Sequence, residues 1–181
     1  MLKVFQILTV IFVVLFVIAG CQGVQDSQSG NRYLRGSYSI ENGDGAVEAD
    51  YKYGEIVYVP IYPRIFNDTE IGKYDLTATL SIHNIDLEKP IKIYRVDYYN
   101  TNGDLVKAYI KGRIVLKPLQ TVQVVIMQGD AGSGTGANVI VEWRSASDVS
   151  SPIVEAAMIF TSGQQGGSFL STGKVIKKLA P

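Results

Sequence analysis

Apolar and polar residues alternate along most of the chain after residue 50. The pattern is clearest at 76–82, where every second residue is apolar. A period of two is typical of a strand with one buried face and one solvated face. Similar runs lie at 55–62, 91–99, 105–110, 121–127, 139–144, 153–161 and 169–176. The pattern predicts an all-β fold, either an antiparallel β-sandwich of seven to eight short strands, immunoglobulin-like or similar, or a small barrel.

Two local signals refine this prediction. Asn102-Gly103 lies between two of the runs and predicts a hairpin, because both residues tolerate the positive φ of a tight turn. The segment 151–160 is also compatible with a short helix, since Ser151 fits an N-cap and Pro152 fits the first helical position. Its β-branched and aromatic residues favour a strand. We predict the strand, with the helix as the alternative.

The first 21 residues have the three parts of a bacterial export signal. A basic residue precedes an apolar run at 4–19, and small residues stand directly before Cys21. A membrane-spanning helix needs roughly 20 apolar residues, more than this run supplies. The tetrapeptide at 18–21 resembles the lipobox of bacterial lipoproteins. The pattern predicts a signal peptide at 1–20 and acyl chains such as palmitate on Cys21. An uncleaved signal anchor is the alternative.

The composition changes between residues 21 and 50. This stretch is rich in Gln, Ser, Gly, Asn and Asp, which is typical of a tether. The predicted organisation is therefore a signal peptide at 1–20, a flexible tether at 21–50 and a β-sandwich domain at 51–181. The alternative is a shorter tether followed by an early strand, which would contain the apolar and aromatic residues Tyr33, Leu34, Tyr38 and Ile40.

Charge and rare residues limit the possible partners. The chain has 17 Lys and Arg against 17 Asp and Glu, so it lacks the basic excess that nucleic acid requires. One cysteine excludes an internal disulfide, and one histidine excludes a zinc site built from several His and Cys ligands. The sequence predicts neither a metal nor a cofactor.

The glycine-rich segment 129–138 is the first candidate binding site. Its candidate residues are Gly132, Gly134, Gly136 and Asn138. Glycine amides can cradle phosphate, but a dinucleotide fingerprint must open a helix, and the residues that follow are strand-like. We interpret the segment as a loop between strands that offers its backbone to a partner.

Tyrosines form the second candidate, as a face that would bind carbohydrate or peptide. The chain has 11 tyrosines, and Tyr98 and Tyr99 are adjacent in one predicted strand. The alternative interpretation is that these rings are ordinary sheet residues with an apolar body and a wet hydroxyl.

Several charged residues are candidates for buried or paired groups. Glu142 and Arg144 are expected to form a same-face pair opposite the apolar side of their strand. Glu155 stands within an apolar run, where an ionised carboxylate needs a partner such as an arginine. His83 is interpreted as an exposed strand-end residue, with a catalytic base as the alternative. No serine has the G-x-S-x-G context of a hydrolase nucleophile, and no catalytic residue is assigned.

The order of these motifs resembles an uncharacterised bacterial family, DUF3124. The similarity extends over about 55–178. It rests on segments at 58–62, 76–84, 96–103, 116–119, 134–138, 141–143, 155–159 and 165–166. His83 departs from the more arginine-like residue expected there. The resemblance implies exported or lipid-anchored envelope proteins, and it implies no activity, ligand or catalytic residue.

Together these observations predict a lipid-anchored cell-envelope protein facing the periplasm or the exterior. Its sandwich is expected to be a non-enzymatic binding or structural domain, with the membrane and an envelope protein or glycan as partners. A carbohydrate- or peptide-binding module using a tyrosine-rich face is the alternative, and an envelope hydrolase is the third hypothesis.

Overall fold

The computed structural model describes residues 31–42, 50–67, 72–127, 134–162 and 164–179. All sheet pairings between these residues are antiparallel, and two sheets stack as an open sandwich, which confirms the predicted fold class. The strands are β1 Leu34–Arg35, β2 Ser39–Glu41, β3 Tyr53–Ile61, β4 Arg64–Phe66, β5 Lys73–Asp75, β6 Thr77–His83, β7 Ile91–Tyr99, β8 Leu105–Ala108, β9 Arg113–Leu116, β10 Thr121–Ile126, β11 Ala137–Ser145, β12 Ile153–Ser162, β13 Gln165–Thr172 and β14 Lys174–Leu179.

The two large sheets have simple strand orders. The five-stranded sheet runs β1-β10-β6-β12-β13, and the seven-stranded sheet runs β14-β3-β11-β7-β9-β2, with β8 also paired to β7. The strands β8 and β9 pair with opposite ends of β7, at 97–99 and 91–93 respectively. A separate two-stranded sheet of β4 and β5 packs onto the end of β12, where Tyr74 stacks on Phe160 at 4.7 Å.

The alternating residues form the core. In β6 and β11 every second side chain is buried between the sheets, as the period of two predicts. Trp143, the single tryptophan, is 3% exposed and lies within this apolar core. The segment 153–162 is a strand, so the helical alternative for it is wrong.

The predicted hairpin at Asn102-Gly103 joins β7 to β8. Gly103 has φ of 86° and its amide donates to the carbonyl of Asn100. The side chain of Asn100 supports the same turn, because its Oδ1 accepts from the amides of Asn102 and Asp104. The sequence signal and the observed turn therefore agree.

The folded part reaches further toward the N-terminus than the predicted boundary at residue 51. Leu34 in β1 is only 6% exposed and pairs with Val124 of β10, while β2 pairs with β9. Residues 31–42 thus contribute a strand to each large sheet. The alternative of an early strand, which the apolar residues at 33–40 raised, describes this region better than a tether does.

The run at 169–176 was expected to be one strand and is instead divided between the two sheets. Gly173 alone separates β13, the edge of the five-stranded sheet, from β14, the edge of the seven-stranded sheet. The amide of Gly173 donates to the carbonyl of Val154 at 2.8 Å. A side chain has no room there, because a Cβ atom would lie 2.7 Å from Val57 Cγ1 and 2.8 Å from the Val154 oxygen.

We therefore predict that Gly173→Ala destabilises the sandwich by about 1–3 kcal/mol, the usual cost of an inserted methyl group in a packed core. Gly136→Ala is the matched control, since a Cβ atom at Gly136 would meet nothing within 4 Å. Urea unfolding followed by Trp143 fluorescence measures both variants. Equal unfolding midpoints for the two variants would show that the crossing at Gly173 is not tightly packed.

Candidate functional site

A pocket of 610 Å³ opens at one edge of the sandwich. One wall is the N-terminal segment at 31–42, and the other is the chain that leads from β8 into β9. We call it the crossing pocket, because the N-terminal segment crosses from one sheet to the other beside it. It is lined by Asn31, Arg32, Tyr33, Leu34, Ile40, Asn42, Lys107, Ala108, Tyr109, Ile110, Lys111, Gly112 and Ile114.

Backbone hydrogen bonds and one amide side chain hold the two walls in place. The Asn31 side chain donates to the Tyr109 carbonyl at 2.6 Å, across 78 residues of sequence. The Tyr33 carbonyl accepts from the Val125 amide at 2.8 Å, which extends the pairing of β1 with β10. The Tyr109 amide donates to the Val96 carbonyl at 2.9 Å. The walls are therefore fixed to both sheets before any ligand arrives.

The second short strand is held by a buried cation. Lys92 of β7 is 7% exposed, and its ammonium lies 2.6 Å from Glu41 of β2 and 4.4 Å from the ring centroid of Tyr51. A buried lysine requires a partner of opposite charge, and Glu41 supplies it. This ion pair fixes β2, whose Ile40 pairs with Ile114 of β9, and both isoleucines line the pocket.

Stacked aromatic and cationic groups form the centre of the pocket. The Lys107 ammonium lies 3.2 Å from the ring centroid of Tyr33 and 4.9 Å from that of Tyr109. The two rings meet edge to face with centroids 5.6 Å apart. A guanidinium nitrogen of Arg32 donates to the Tyr33 hydroxyl at 2.9 Å. These contacts hold a concentrated positive charge against an aromatic surface.

The same two cations perturb Tyr33. Hydrogen bonding from Lys107, and next from Arg32, lowers the pKa of the Tyr33 hydroxyl below its ordinary value of 10.0. Both hydrogen bonds favour the phenolate over the phenol. The lowered pKa is a consequence of the two cations beside this hydroxyl.

The glycine-rich candidate site lies elsewhere. Gly132 falls outside the described residues. Gly134 has φ of 69° and lies against Thr101, whose hydroxyl accepts from the Gly136 amide at 3.0 Å. Gly134 and Gly136, the two candidate glycines that the structure describes, therefore pack on the β7–β8 turn. Asn138 follows in β11, between Pro60 of β3 and Tyr99 of β7.

The two candidate tyrosines point to opposite sides of β7. Tyr98 is fully buried in the core, where its ring lies 6.4 Å from that of Tyr109. Tyr99 is half-buried on the outer side. Because Tyr98 has no exposed surface, it does not contribute to an exposed aromatic face, and the structure does not bring the pair together as a binding surface.

The charged pair in β11 forms as expected. Two nitrogens of Arg144 lie 2.9 Å from Glu142 Oε1, with both side chains largely buried on the outer face of the seven-stranded sheet. Arg95 joins them at 4.0 Å from Glu142 and also lies 3.6 Å from Asp97. Burial raises the pKa of Asp97, against the opposing charge of Arg95. Glu142 and Arg144 are hydrogen-bonded to each other, whereas Arg95 Nε is buried without a hydrogen-bond partner among the described residues and contributes through charge.

Glu155 was expected to pair with an arginine, and the structure places it beside a histidine instead. It lies on the outer face of the five-stranded sheet, 36% exposed in its side chain, and its Oε1 is 3.9 Å from His83 Nε2. The Thr121 hydroxyl lies 2.9 Å from His83 Nδ1. Registers place Thr121, His83 and Glu155 on three adjacent strands. This cluster stands on a sheet face and shares no residue with the crossing pocket.

The sequence pattern identified neither wall of the pocket as a site. Tyr33 and Leu34 drew attention only as an early strand, and Lys107 and Tyr109 only as alternating strand residues. Asn31 and Tyr109 are 78 positions apart, so no local motif joins the two walls. Interleaving of aromatic and basic residues at 32–35 and 107–111 was the available signal. Within the described ranges, no three His, Cys, Asp or Glu side chains are placed to hold a metal ion.

Comparisons with known proteins give a family and one solved structure. The model of a family described as "Protein of unknown function (DUF3124)" matches residues 54–176. No curated protein matches the chain. A solved structure described as "Crystal Structure of Thermotoga maritima 1070" is similar with a TM-score of 0.42 and 9% identity, covering 66% of this chain and 92% of that one. The family match includes the β8–β9 wall of the pocket and excludes the N-terminal wall.

The perturbed tyrosine gives a testable consequence. We predict that Lys107→Gln raises the pKa of Tyr33, because it removes the larger of the two groups that stabilise the phenolate. The ¹³Cζ shifts of labelled tyrosine, with Tyr33→Phe to assign the resonance, follow the titration. Lys177→Gln, an exposed change in β14 at the opposite edge of the seven-stranded sheet, is the control.

The sign of the linked stability follows from the lowered pKa. The folded chain releases the Tyr33 proton at lower pH than the unfolded chain does, so stability from this group rises with pH up to the unfolded value of 10.0. It is lost as pH falls through the folded pKa. Lys107→Gln should therefore cost more stability at high pH than at neutral pH. An unchanged Tyr33 titration in Lys107→Gln would contradict the assigned contact.

Proposed function

The chain belongs to the family of proteins of unknown function DUF3124, and the description of that family supplies no activity. We therefore propose a function from the site. We propose that the chain is a lipid-anchored cell-envelope protein and that its sandwich binds a ligand. The observation that carries this proposal is the crossing pocket. One wall of this pocket is the segment at 31–42, which begins ten residues after Cys21. Its volume of 610 Å³ lies within the range of small-molecule sites.

The chemistry of the lining favours binding over catalysis. The lining residues include no carboxylate, imidazole, hydroxymethyl or thiol side chain. They offer instead three cations, two tyrosines and several aliphatic side chains, a combination that can orient a ligand through a few polar groups against an apolar surface. The proposal therefore assigns the pocket to recognition.

The lipid anchor is supported by the sequence at the other end of the same segment. Cys21 is the only cysteine and stands directly after an apolar run that ends in small residues. The structure describes no residue before Asn31, and among the residues it describes no helix is long and apolar enough to cross a membrane. Two or three acyl chains on one cysteine would hold the protein at a bilayer where a single chain would bind only marginally.

A hydrolase remains a second candidate on one observation, the Thr121–His83–Glu155 cluster. A hydroxyl within 2.9 Å of an imidazole nitrogen, with a carboxylate near the other nitrogen, is the arrangement of a base-activated nucleophile. Substituting His83 by Ala would abolish hydrolysis of ester or peptide substrates if this cluster were catalytic. Ser81→Ala, on the same face, is the control.

The anchor is tested by Cys21→Ser in a bacterial host. We predict that this variant incorporates no labelled acyl chain and is either released from the membrane fraction or retained as an uncleaved precursor, because serine cannot form the thioether. Fractionation together with acyl-chain labelling measures both properties. Lipid labelling equal to that of the parent chain would refute the anchor.

A further inference from the structure

The charge of the crossing pocket defines the class of ligand. Its lining contains Arg32, Lys107 and Lys111 and no acidic residue, although the whole chain is electrically neutral. Lys107 is half-buried, and its contacts with the rings of Tyr33 and Tyr109 hold its charge in the lining of the pocket. The same two cations, Lys107 and Arg32, lower the pKa of Tyr33.

An anion alone would not fill the pocket. Leu34, Ile40, Ile110 and Ile114 form the aliphatic part of the lining, which we call the apolar floor; Leu34 and Ile114 are buried and Ile40 is exposed. Ile40 is 46% exposed, so part of this apolar lining is in contact with water. An apolar chain placed against this floor would remove that surface from water, and such burial is favourable. The pocket therefore combines one anion site with one hydrophobic site.

The position of the pocket relative to Cys21 suggests a source for such a ligand. Asn31, at the rim, is ten residues after Cys21. Ten residues span at most about 35 Å in any conformation. If Cys21 carries the acyl chains, Asn31 lies within that distance of the bilayer surface, where anionic lipids combine an acidic headgroup with apolar chains.

We infer that the crossing pocket binds an amphiphilic anion, an acidic headgroup joined to an apolar chain. The cations hold the headgroup and the apolar floor holds the first part of the chain. The ligand class follows from the pocket, and the source rests on the proposed function: an anchored protein meets anionic phospholipid, whereas an unanchored one meets free amphiphiles.

The test uses the full chain, purified in a neutral detergent and studied by isothermal titration calorimetry. The probes are dihexanoyl phosphatidylglycerol, dihexanoyl phosphatidylcholine and inorganic phosphate. Phosphatidylglycerol should bind at least about tenfold more tightly than either of the others, because phosphatidylcholine lacks net charge and phosphate lacks the apolar chain. Equal binding of phosphatidylcholine would make the site merely apolar, and equal binding of phosphate would make it a simple anion site. Either result overturns the inference.

Three variants assign the binding to the pocket. Lys107→Gln should weaken phosphatidylglycerol binding about tenfold. Lys111→Gln should weaken it about threefold, and it alters only an exposed side chain, so it tests the inference even if Lys107→Gln fails to fold. Lys177→Gln at the opposite edge should change nothing. Identical losses for Lys111→Gln and Lys177→Gln would show that binding occurs elsewhere.

Mass spectrometry of the same preparation separates this inference from the proposed function. Acyl chains on Cys21 without phosphatidylglycerol binding would refute the ligand class and leave the anchor standing. Binding with an unmodified Cys21 would support the ligand class, refute the anchor and assign the ligand to free amphiphiles.

A separate experiment with vesicles compares phosphatidylglycerol bilayers with the soluble lipid at equal lipid concentration. Stronger protection of Lys107 from amine acetylation by the bilayers supports the membrane source, and equal protection supports free amphiphiles.

Discussion

The structure depends on closing an apolar interior at two open edges. Two sheets with one apolar face each must stack, yet a sandwich leaves its interior open along both sides. This chain closes each side with a segment that passes from one sheet to the other. Residues 34–41 add β1 to the five-stranded sheet and β2 to the seven-stranded sheet, and residues 165–179 do the same with β13 and β14.

The two crossings differ in how tightly they pack, and this difference locates the site. Gly173 turns the C-terminal crossing in a single residue, with the atoms of Val57 and Val154 in the space a side chain would need. The N-terminal crossing is longer, and although it contacts the β8–β9 chain at Asn31 and Tyr33, a pocket of 610 Å³ remains between the two segments. The cations and tyrosines at that edge give the remaining space its chemical character.

The sequence predicted the central strands well because alternation is a local property. At 76–82 and 139–144 every second side chain is apolar, and the sheets bury those positions. Short strands such as β1 and β2 were harder to predict, since two or three residues cannot display a period. The division of 169–176 at Gly173 was also missed, because a change of sheet within a run of extended residues leaves no local signal other than the glycine itself.

The candidate site was less predictable than the fold for a different reason. Asn31 and Tyr109 meet across 78 positions, and the pairing depends on sheet order, which the strand pattern does not specify. Glu155 shows the same limitation, since its partner His83 comes from a neighbouring strand whose register the sequence left open. The pair of Glu142 and Arg144 was predictable because both residues lie on one face of one strand.

The central claim is that the N-terminal segment is part of the sandwich and forms the wall of its pocket. Hydrogen exchange of the Val125 amide tests this most directly, because that amide donates to the Tyr33 carbonyl at 2.8 Å. We predict protection in the range of the Tyr109 amide, which donates to Val96 within the opposite wall. Exchange of Val125 at the rate of an unprotected peptide, with Tyr109 still protected, would contradict the claim and remove the pocket with it.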